Sequence, residues 1–419
     1  MMVTWIRSFN FIMLLVFTLC YCYQFGYVLV RFFKKQKTFT ATKLHKYAVL
    51  ISARNEGAVI GELLESLHRQ NYPQELLDVY VVADNCTDNT AQIAEDHGAI
   101  VYERFDRKLV GKGYALNYLF GKIYARSGLE AYDGYFVFDA DNVLDENYVR
   151  EMNKVFDNGY EIVTSYRNSK NYGSNWISAG YALWFLRESK YLNGARMQCG
   201  TSCAISGTGF LVANRIIREN NGWKHHLLTE DIEFSTDNII QGRVIGYCEQ
   251  AVLYDEQPTD FHESWNQRLR WTKGFYQVFA NYGGQLLNGI LEQHRFQCFD
   301  MLMTLAPATL LTLLTIALNS VFGIAGVLLG HPLWTDVTME AVLGNIVSVY
   351  SSLFFFGLVT TITEWRRIHC EWYKKICYLF TFPVFIFTYV PIAIVALFKK
   401  VTWVPIRHTV VKSVQQIRE

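Results

Sequence analysis

The sequence predicts an α/β domain, built on a parallel sheet and inserted between transmembrane helices. Three observations predict it. Between Lys46 and about Ser165, short β-rich runs alternate with helical ones, the pattern of strands joined by crossover helices. Four stretches, 9–30, 302–329, 342–363 and 376–398, contain no Asp, Glu, Lys or Arg and are about long enough to cross a hydrocarbon core. With 419 residues, 51% of them hydrophobic and 16% aromatic, the chain has room for one sizeable domain beside those spans. A net charge of +1 offers no field for nucleic acid, and none is expected as a partner. The nine cysteines show no CxxC metal spacing, so buried free thiols in a reducing compartment are expected.

The first apolar run is too long for the core of a leader peptide and lacks a small-x-small cleavage site, so segment 1–38 reads as a membrane anchor. Arg31, Lys34, Lys35 and Lys37 follow it and place the next domain in the cytoplasm. Within that domain, Tyr47–Ser52, Leu77–Ala83, Ala99–Glu103 and Gly134–Phe138 read as strands. Glu56–Gln70, Asp88–His97 and Tyr114–Ser127 read as the helices between them. Ligands of such sheets bind beyond the carboxyl ends of the strands, which makes the polar strand ends the candidate site.

The first strand ends in Ala53-Arg54-Asn55-Glu56 and the second in Asp84-Asn85-Cys86-Thr87-Asp88. Turn and capping chemistry is the plainer explanation of Asn55, Asp84, Thr87 and Asp88 taken singly. Gly111-Lys112-Gly113 opens the next helix, where free N–H groups and a lysine suit an anion. The spacing is not that of a P-loop, and a flexible turn is the alternative. The fourth strand runs into Asp139-Ala140-Asp141. Two carboxylates one residue apart are costly to bring together unless a cation neutralises them, and Mg²⁺ or Mn²⁺ shared with a diphosphate would do so.

Ser206-Gly207-Thr208-Gly209 precedes an apolar Phe210–Ala213 run, and its glycines allow close approach to a ligand. Thr229-Glu230-Asp231 then opens a helical run to Gln241. Thr229 as a cap is the structural alternative to proton abstraction by Asp231. Near the end of the polar region, a helix over 263–280 would put Gln267, Arg270 and Trp271 on one face. An interfacial amphipathic helix explains the same residues without a ligand.

The charge rule places Trp365–Lys375 in the cytoplasm and the loop near Asp336 and Glu340 outside. A full crossing by 376–398 would put Lys399, Lys400, Arg407 and Lys412 outside, against that rule. Pro383 and Pro391 could instead break this stretch into a re-entrant hairpin, leaving the tail cytoplasmic.

Taken in order, Ala53–Glu56, Asp84–Asp88, Gly111–Gly113, Asp139–Asp141, Thr229–Asp231 and Gln267-x-x-Arg270-Trp271 resemble the membrane-integrated family 2 glycosyltransferases, which include the cellulose, hyaluronan, chitin and poly-N-acetylglucosamine synthases. The resemblance covers roughly 45–280 and the membrane layout. It implies a GT-A (Rossmann-like) fold over 39–260, interfacial helices over 261–300, a membrane region over 301–398 and a cytoplasmic tail over 399–419. It further implies inverting transfer from a UDP-sugar, polymerising a β-linked polysaccharide at the face of a bacterial plasma membrane, coupled to export. The alternative is transfer of a single sugar to a lipid or short glycan. Residue by residue, Asp231 beside Glu230 would be the catalytic base. Ala53, Arg54, Glu56, Asp84, Lys112, Asp139, Ala140, Asp141 and Arg270 would hold the donor, with Mg²⁺ or Mn²⁺ at Asp139 and Asp141. Gln267, Trp271, Gly207, Thr208 and Gly209 would meet the growing glycan acceptor. Export or accessory subunits are conceivable partners beside the bilayer. Trp403-Val404-Pro405-Ile406-Arg407-His408 loosely resembles a tail motif that returns to the cytoplasmic mouth. Two departures stand out: relatives often carry paired aspartates where this chain has Ala83-Asp84, and no PilZ-like domain is expected.

Overall fold

The computed structural model describes residues 1–419, apart from the side chain of Leu129. The alternating region forms the strands β1 (Tyr47–Ala53), β2 (Leu77–Asp84), β3 (Ile100–Arg104) and β4 (Gly134–Asp139), each within a residue of its predicted bounds. Their apolar runs are buried: Val49, Leu50, Ile51, Val81, Val82, Phe136 and Phe138 are inaccessible to solvent. Parallel ladders join them in the order β3-β2-β1-β4.

The sheet is not purely parallel, however. β5 (Val143–Leu144), β6 (Ile162–Ser169), β7 (Phe210–Ala213) and β8 (Ile245–Asp255) extend it to eight strands in the order β3-β2-β1-β4-β7-β6-β8-β5. The β4–β7, β6–β7 and β5–β8 pairs are antiparallel, and β6–β8 is parallel. Polar residues such as Thr164, Ser165, Asn168, Glu249 and Gln250 interrupt β6 and β8, which hid them from an apolar-run criterion.

The strand order reverses beside β1. β2 and β3 lie on one flank and β4 on the other, so a crevice opens between the carboxyl ends of β1 and β4. Ser52 pairs with Asp139 there. Of the three predicted helices, the third starts two residues earlier than expected, as Lys112–Ser127, and the other two start later, as Ile60–His68 and Thr90–Asp96. The residues ahead of them are held in turns: Asp88 accepts from the Thr90 and Gly57 N–H groups at 3.1 Å each, and Asn55 Oδ1 accepts from Thr87 N at 2.7 Å.

Four helical stretches are long and apolar enough to cross a membrane by length and composition: Met2–Phe33, Pro307–Leu328, Pro332–Thr363 and Trp372–Phe398. Three differ from the sequence expectation. Leu302–Leu305 belong to the preceding helix, Phe296–Leu305, because Pro307 starts a new one at its first turn. Asp336 and Glu340 lie inside the Pro332–Thr363 helix rather than in a loop. Neither Pro383 nor Pro391 marks the break in the last stretch: Trp372–Phe387 ends at Thr388, and Tyr389–Phe398 follows. Thr388 keeps right-handed helical angles (φ −65°, ψ −13°), so the chain kinks there instead of turning back. The helix over 263–280 is longer than expected, running Phe261–Leu291 from an Asp260 cap that accepts from Glu263 N at 2.9 Å.

The tail returns to the sheet. Thr409 and Val410 donate their N–H groups to Glu256 at 3.0 and 2.8 Å, and Arg418 pairs with Asp145. Val414 and Ile417 pack on Val143 and Tyr254.

Candidate active site

The crevice gathers residues from every predicted strand end. Asp139 reaches it from β4, where its N–H is held by Thr208 Oγ1 at 2.9 Å. Lys112, the first residue of the Lys112–Ser127 helix, donates to Asp139 Oδ1 at 2.5 Å and to Gly207 O at 2.8 Å. Gly207 N donates to Asp231 Oδ2 at 2.6 Å. A single peptide residue therefore connects the Asp139–Lys112 pair to Asp231.

Burial and the neighbouring Asp231 push Glu230 up to about 7, and Lys112 and Arg270 oppose them only in part. Burial also raises Asp231, against the pull of the Ile232 and Gly207 N–H groups and Lys112. Lys112 answers the pair: burial disfavours its ammonium, but Asp139, Glu230 and Asp231 outweigh that and raise its pKa. Two adjacent carboxyls, both raised by burial beside a cation, make a candidate acid–base centre. Thr229 does not act as their cap; its Oγ1 is buried without a partner.

The second carboxylate of the triplet, Asp141, is buried and accepts from Glu256 N at 2.9 Å. Burial would raise its pKa, but His408, Lys170 and the Glu256 N–H together hold it below the usual range. Ala140 is buried between the two aspartates. Among the described residues no three His, Cys, Asp or Glu side chains converge as a metal cage. Two carboxylates at one strand end nevertheless suit Mg²⁺ or Mn²⁺ when a diphosphate supplies further oxygens.

Other predicted donor residues are arranged around these. Asp84 is buried and spends Oδ1 on Arg104 NH1 at 2.5 Å. Ala53 is buried at the end of β1, and Arg54 stacks its guanidinium 5.0 Å from the Trp403 ring with NH1 buried and unpartnered. Glu56 meets His408 Nδ1 at 3.0 Å. Arg270 is anchored by NH1 to Leu228 O at 2.9 Å, and Trp271 stands edge-on to Tyr181 and Phe185, with centroids 5.6 and 6.1 Å apart. Gln267 keeps its Oε1 buried and unpartnered.

Two of the glycines have packing reasons of their own. A Cβ on Gly113 would meet His225 O at 2.1 Å, and one on Gly209 would meet Leu253 at 1.9 Å. Thr208 is buried and points its hydroxyl at Asn142 Oδ1, 2.5 Å away, so it supports the Asp139 turn instead of facing an acceptor. Sequence reasoning missed Arg104, Arg167, Glu188 and Glu256. Arg104 had a signal: it is a fourth polar strand end, one residue beyond the predicted bound. The other three are recognisable only once β6, β8 and the Trp176–Arg187 helix are placed.

A mixed sheet whose switch-point crevice carries an aspartate pair, a lysine and a raised carboxyl pair has the form of a group-transfer site. Residues 45–274, more than half the chain, match the family model described as "Glycosyltransferase like family 2". The chain belongs to that family and has a GT-A-like fold. It is 26% identical over 290 residues to "Probable glycosyltransferase YdaM" of Bacillus subtilis (strain 168), covering 62% of this chain and 63% of that protein. To the beta-monoglucosyldiacylglycerol synthase of Nostoc sp. it is 25% identical over 272 residues, 61% and 54% of the two chains. The poly-beta-1,6-N-acetyl-D-glucosamine synthase of Staphylococcus epidermidis strain RP62A is 25% identical over 270 residues, 59% and 60%. The matches thus span less than two thirds of each of these relatives. The fold is similar to that of the mannosyltransferase PcManGT from Pyrobaculum calidifontis, at a TM-score of 0.55 and 14% identity over 94% of this chain and 99% of that one.

Proposed function

We propose that the protein transfers a hexosyl unit, with inversion, from a nucleotide-diphosphate sugar to a hydroxyl presented at a membrane surface. The expected donor is a UDP-sugar. The observation that carries this reading is Gly207, whose N–H binds Asp231 while its carbonyl holds the lysine bound to Asp139. Asp231 accepts the proton of the attacking hydroxyl, that oxygen bonds to the anomeric carbon, and the bond to the diphosphate oxygen breaks with its electron pair. Lys112 and Arg270 supply fixed positive charge for the departing diphosphate. A Mg²⁺ or Mn²⁺ ion held by Asp139 and Asp141 adds Lewis-acid charge there when bound.

The finer reading is polymerisation of a β-linked polysaccharide with export, which the half-buried Trp271 indole supports as a platform for a terminal sugar. Packing above it favours transfer of one sugar to a lipid. Arg268 is fully buried there, donates to Ser264 O at 3.2 Å and binds Thr388 at the kink, filling the space between the helix and the last apolar stretch. Purified protein in lipid, given Mg²⁺ or Mn²⁺ and each UDP-sugar in turn, tests both. Nucleotide release from one donor supports the reading, and product size decides between polymer and single transfer. Release from no nucleotide sugar would refute it.

A further inference from the structure

The Trp176–Arg187 helix passes into a π-turn over Glu188–Asn193 before resuming as Gly194–Cys199. Such bulges are rare and recur at functional sites. Glu188, the first residue of this one, is partly buried, and its carboxyl's only hydrogen bond among the described residues comes from Ser206 Oγ at 3.3 Å. A carboxylate has about four lone-pair sites, so most of its accepting capacity is unused. Arg167 and Arg196 oppose the burial of this carboxyl by their charge, but neither makes a hydrogen bond to it. Arg196 is committed bidentately to Asp300, and Arg167 to Asp255 and Ser206 O. A buried acid without an ion-pair partner is costly unless something else satisfies it.

The surroundings say what that is. A small cavity of about 10 Å³ adjoins the carboxyl, lined by Arg167, Phe185, Glu188, Asn193, Ser206 and Thr208. That is room for about one oxygen atom. Ser206 precedes Gly207, so two hydrogen bonds and one peptide link separate Glu188 from Asp231. On the other side Phe185, within one helical turn of Glu188, touches the Trp271 indole. The carboxyl stands between the base and the aromatic floor.

We infer that Glu188 binds the acceptor, taking a hydrogen bond from a hydroxyl beside the one that Asp231 activates. The acceptor then presents two neighbouring hydroxyls, as a sugar ring or a monoacylglycerol head does, rather than one isolated alcohol. This rests on the proposed function of the site.

The full chain in lipid vesicles, with the donor it hydrolyses, is assayed with octyl β-glucoside and its monodeoxy analogues, and with monooleoylglycerol against dioleoylglycerol. The first arm identifies a sugar acceptor and the second a glycerol head. The wild type should prefer one diol over its partner lacking the neighbouring hydroxyl by about 10-fold or more in kcat/KM. Glu188→Ala should raise the acceptor KM by about 10-fold and erase that preference. Glu188→Gln, which keeps an accepting oxygen, should recover part of it. The thermal midpoints of both variants check folding, and the loss should fall mainly on acceptor KM rather than on donor KM. An unchanged acceptor KM, a shift in donor KM instead, or equal use of diol and deoxy acceptors overturns the inference while the proposed function stands. Absence of nucleotide release from any donor in the wild type removes both.

Discussion

Arg196 and Asp300 form a bidentate ion pair, 2.7 Å on each arm, sealed where the catalytic domain meets the first apolar helix. Tyr23 and Tyr27 from that helix donate to the same carboxylate at 2.9 and 2.6 Å, so Asp300 has all its partners. Removing one member strands buried charge, which typically costs about 3–5 kcal/mol. Asp300→Ala should therefore lower the thermal midpoint of the detergent-solubilised protein sharply. The double variant Arg196→Met, Asp300→Leu should lose less than Asp300→Ala alone. Additive losses in a double-mutant cycle would show that the pair does not couple.

The Glu230–Asp231 pair sets the pH behaviour of turnover. Both carboxyls are raised, by burial first, with Glu230 up to about 7. Because the base must be ionised and the Asp231 carboxyl is raised, kcat/KM should rise with pH along a limb displaced above the ordinary aspartate range. Asp231→Asn should lie about 10²–10⁴-fold lower and lose the ascending limb. Stability runs the other way. Between the ordinary Glu value of 4.5 and about 7 the folded state binds more protons than the unfolded one, so stability falls as pH rises through that window. A flat activity profile in the wild type from pH 5 to 8 would contradict the assignment.

Asp84 and Arg104 form the third testable relationship. Arg104 holds Asp84 by NH1 and Leu109 O by NH2 at 2.7 Å, fixing the strand end against the loop that leads to Lys112. Arg104→Met leaves the Asp84 charge buried and uncompensated. Donor KM should rise by about 10-fold or more, the ratio that roughly 1.4 kcal/mol of lost binding gives, with the larger share in KM rather than kcat. Asp84→Asn in the same background should restore part of the affinity. Titration of UDP binding by calorimetry checks it, and unchanged affinity in Arg104→Met would remove Arg104 from the donor site.

What was legible in the sequence follows the range of the interactions. Buried parallel strands write themselves as apolar runs, so β1 to β4 and the polar residues capping them were readable, as was the shared face of Gln267, Arg270 and Trp271 on one helix. Thr229 shows where a local rule fails. It stands at the expected cap position, but a Cβ on Gly274 would meet its hydroxyl at 2.5 Å, so tertiary packing decides its surroundings. β6 and β8 mix polar residues into their runs because they border the site and the ion-pair network that includes Glu249. No local pattern brings His408 to Glu56, 352 residues away, or bends a helix at Glu188.

If the apolar stretches cross a bilayer, the tail contacts constrain the parity of the crossings. His408 on Glu56, Thr409 and Val410 on Glu256, and Arg418 on Asp145 hold residues 408–418 against the sheet. Domain and tail therefore share one side of any bilayer, and an even number of the three apolar stretches after residue 300 crosses it. Pro307–Leu328 and Pro332–Thr363 are joined by the three residues Leu329, Gly330 and His331 and pack together as an out-and-back pair. With that pair crossing, Trp372–Phe398, kinked at Thr388 and docked on Arg268, is predicted not to cross. The positive charges flanking it, Lys374, Lys375, Lys399 and Lys400, then stay on the domain's side, as the charge rule requires. In a cysteine-free background, Lys412→Cys and Arg150→Cys should react with a membrane-impermeant maleimide from the same face of sealed vesicles. Gly330→Cys should react only from the other. Labelling of position 412 from the face opposite to position 150 would mean that the last stretch crosses and that the tail contacts are not made in the membrane.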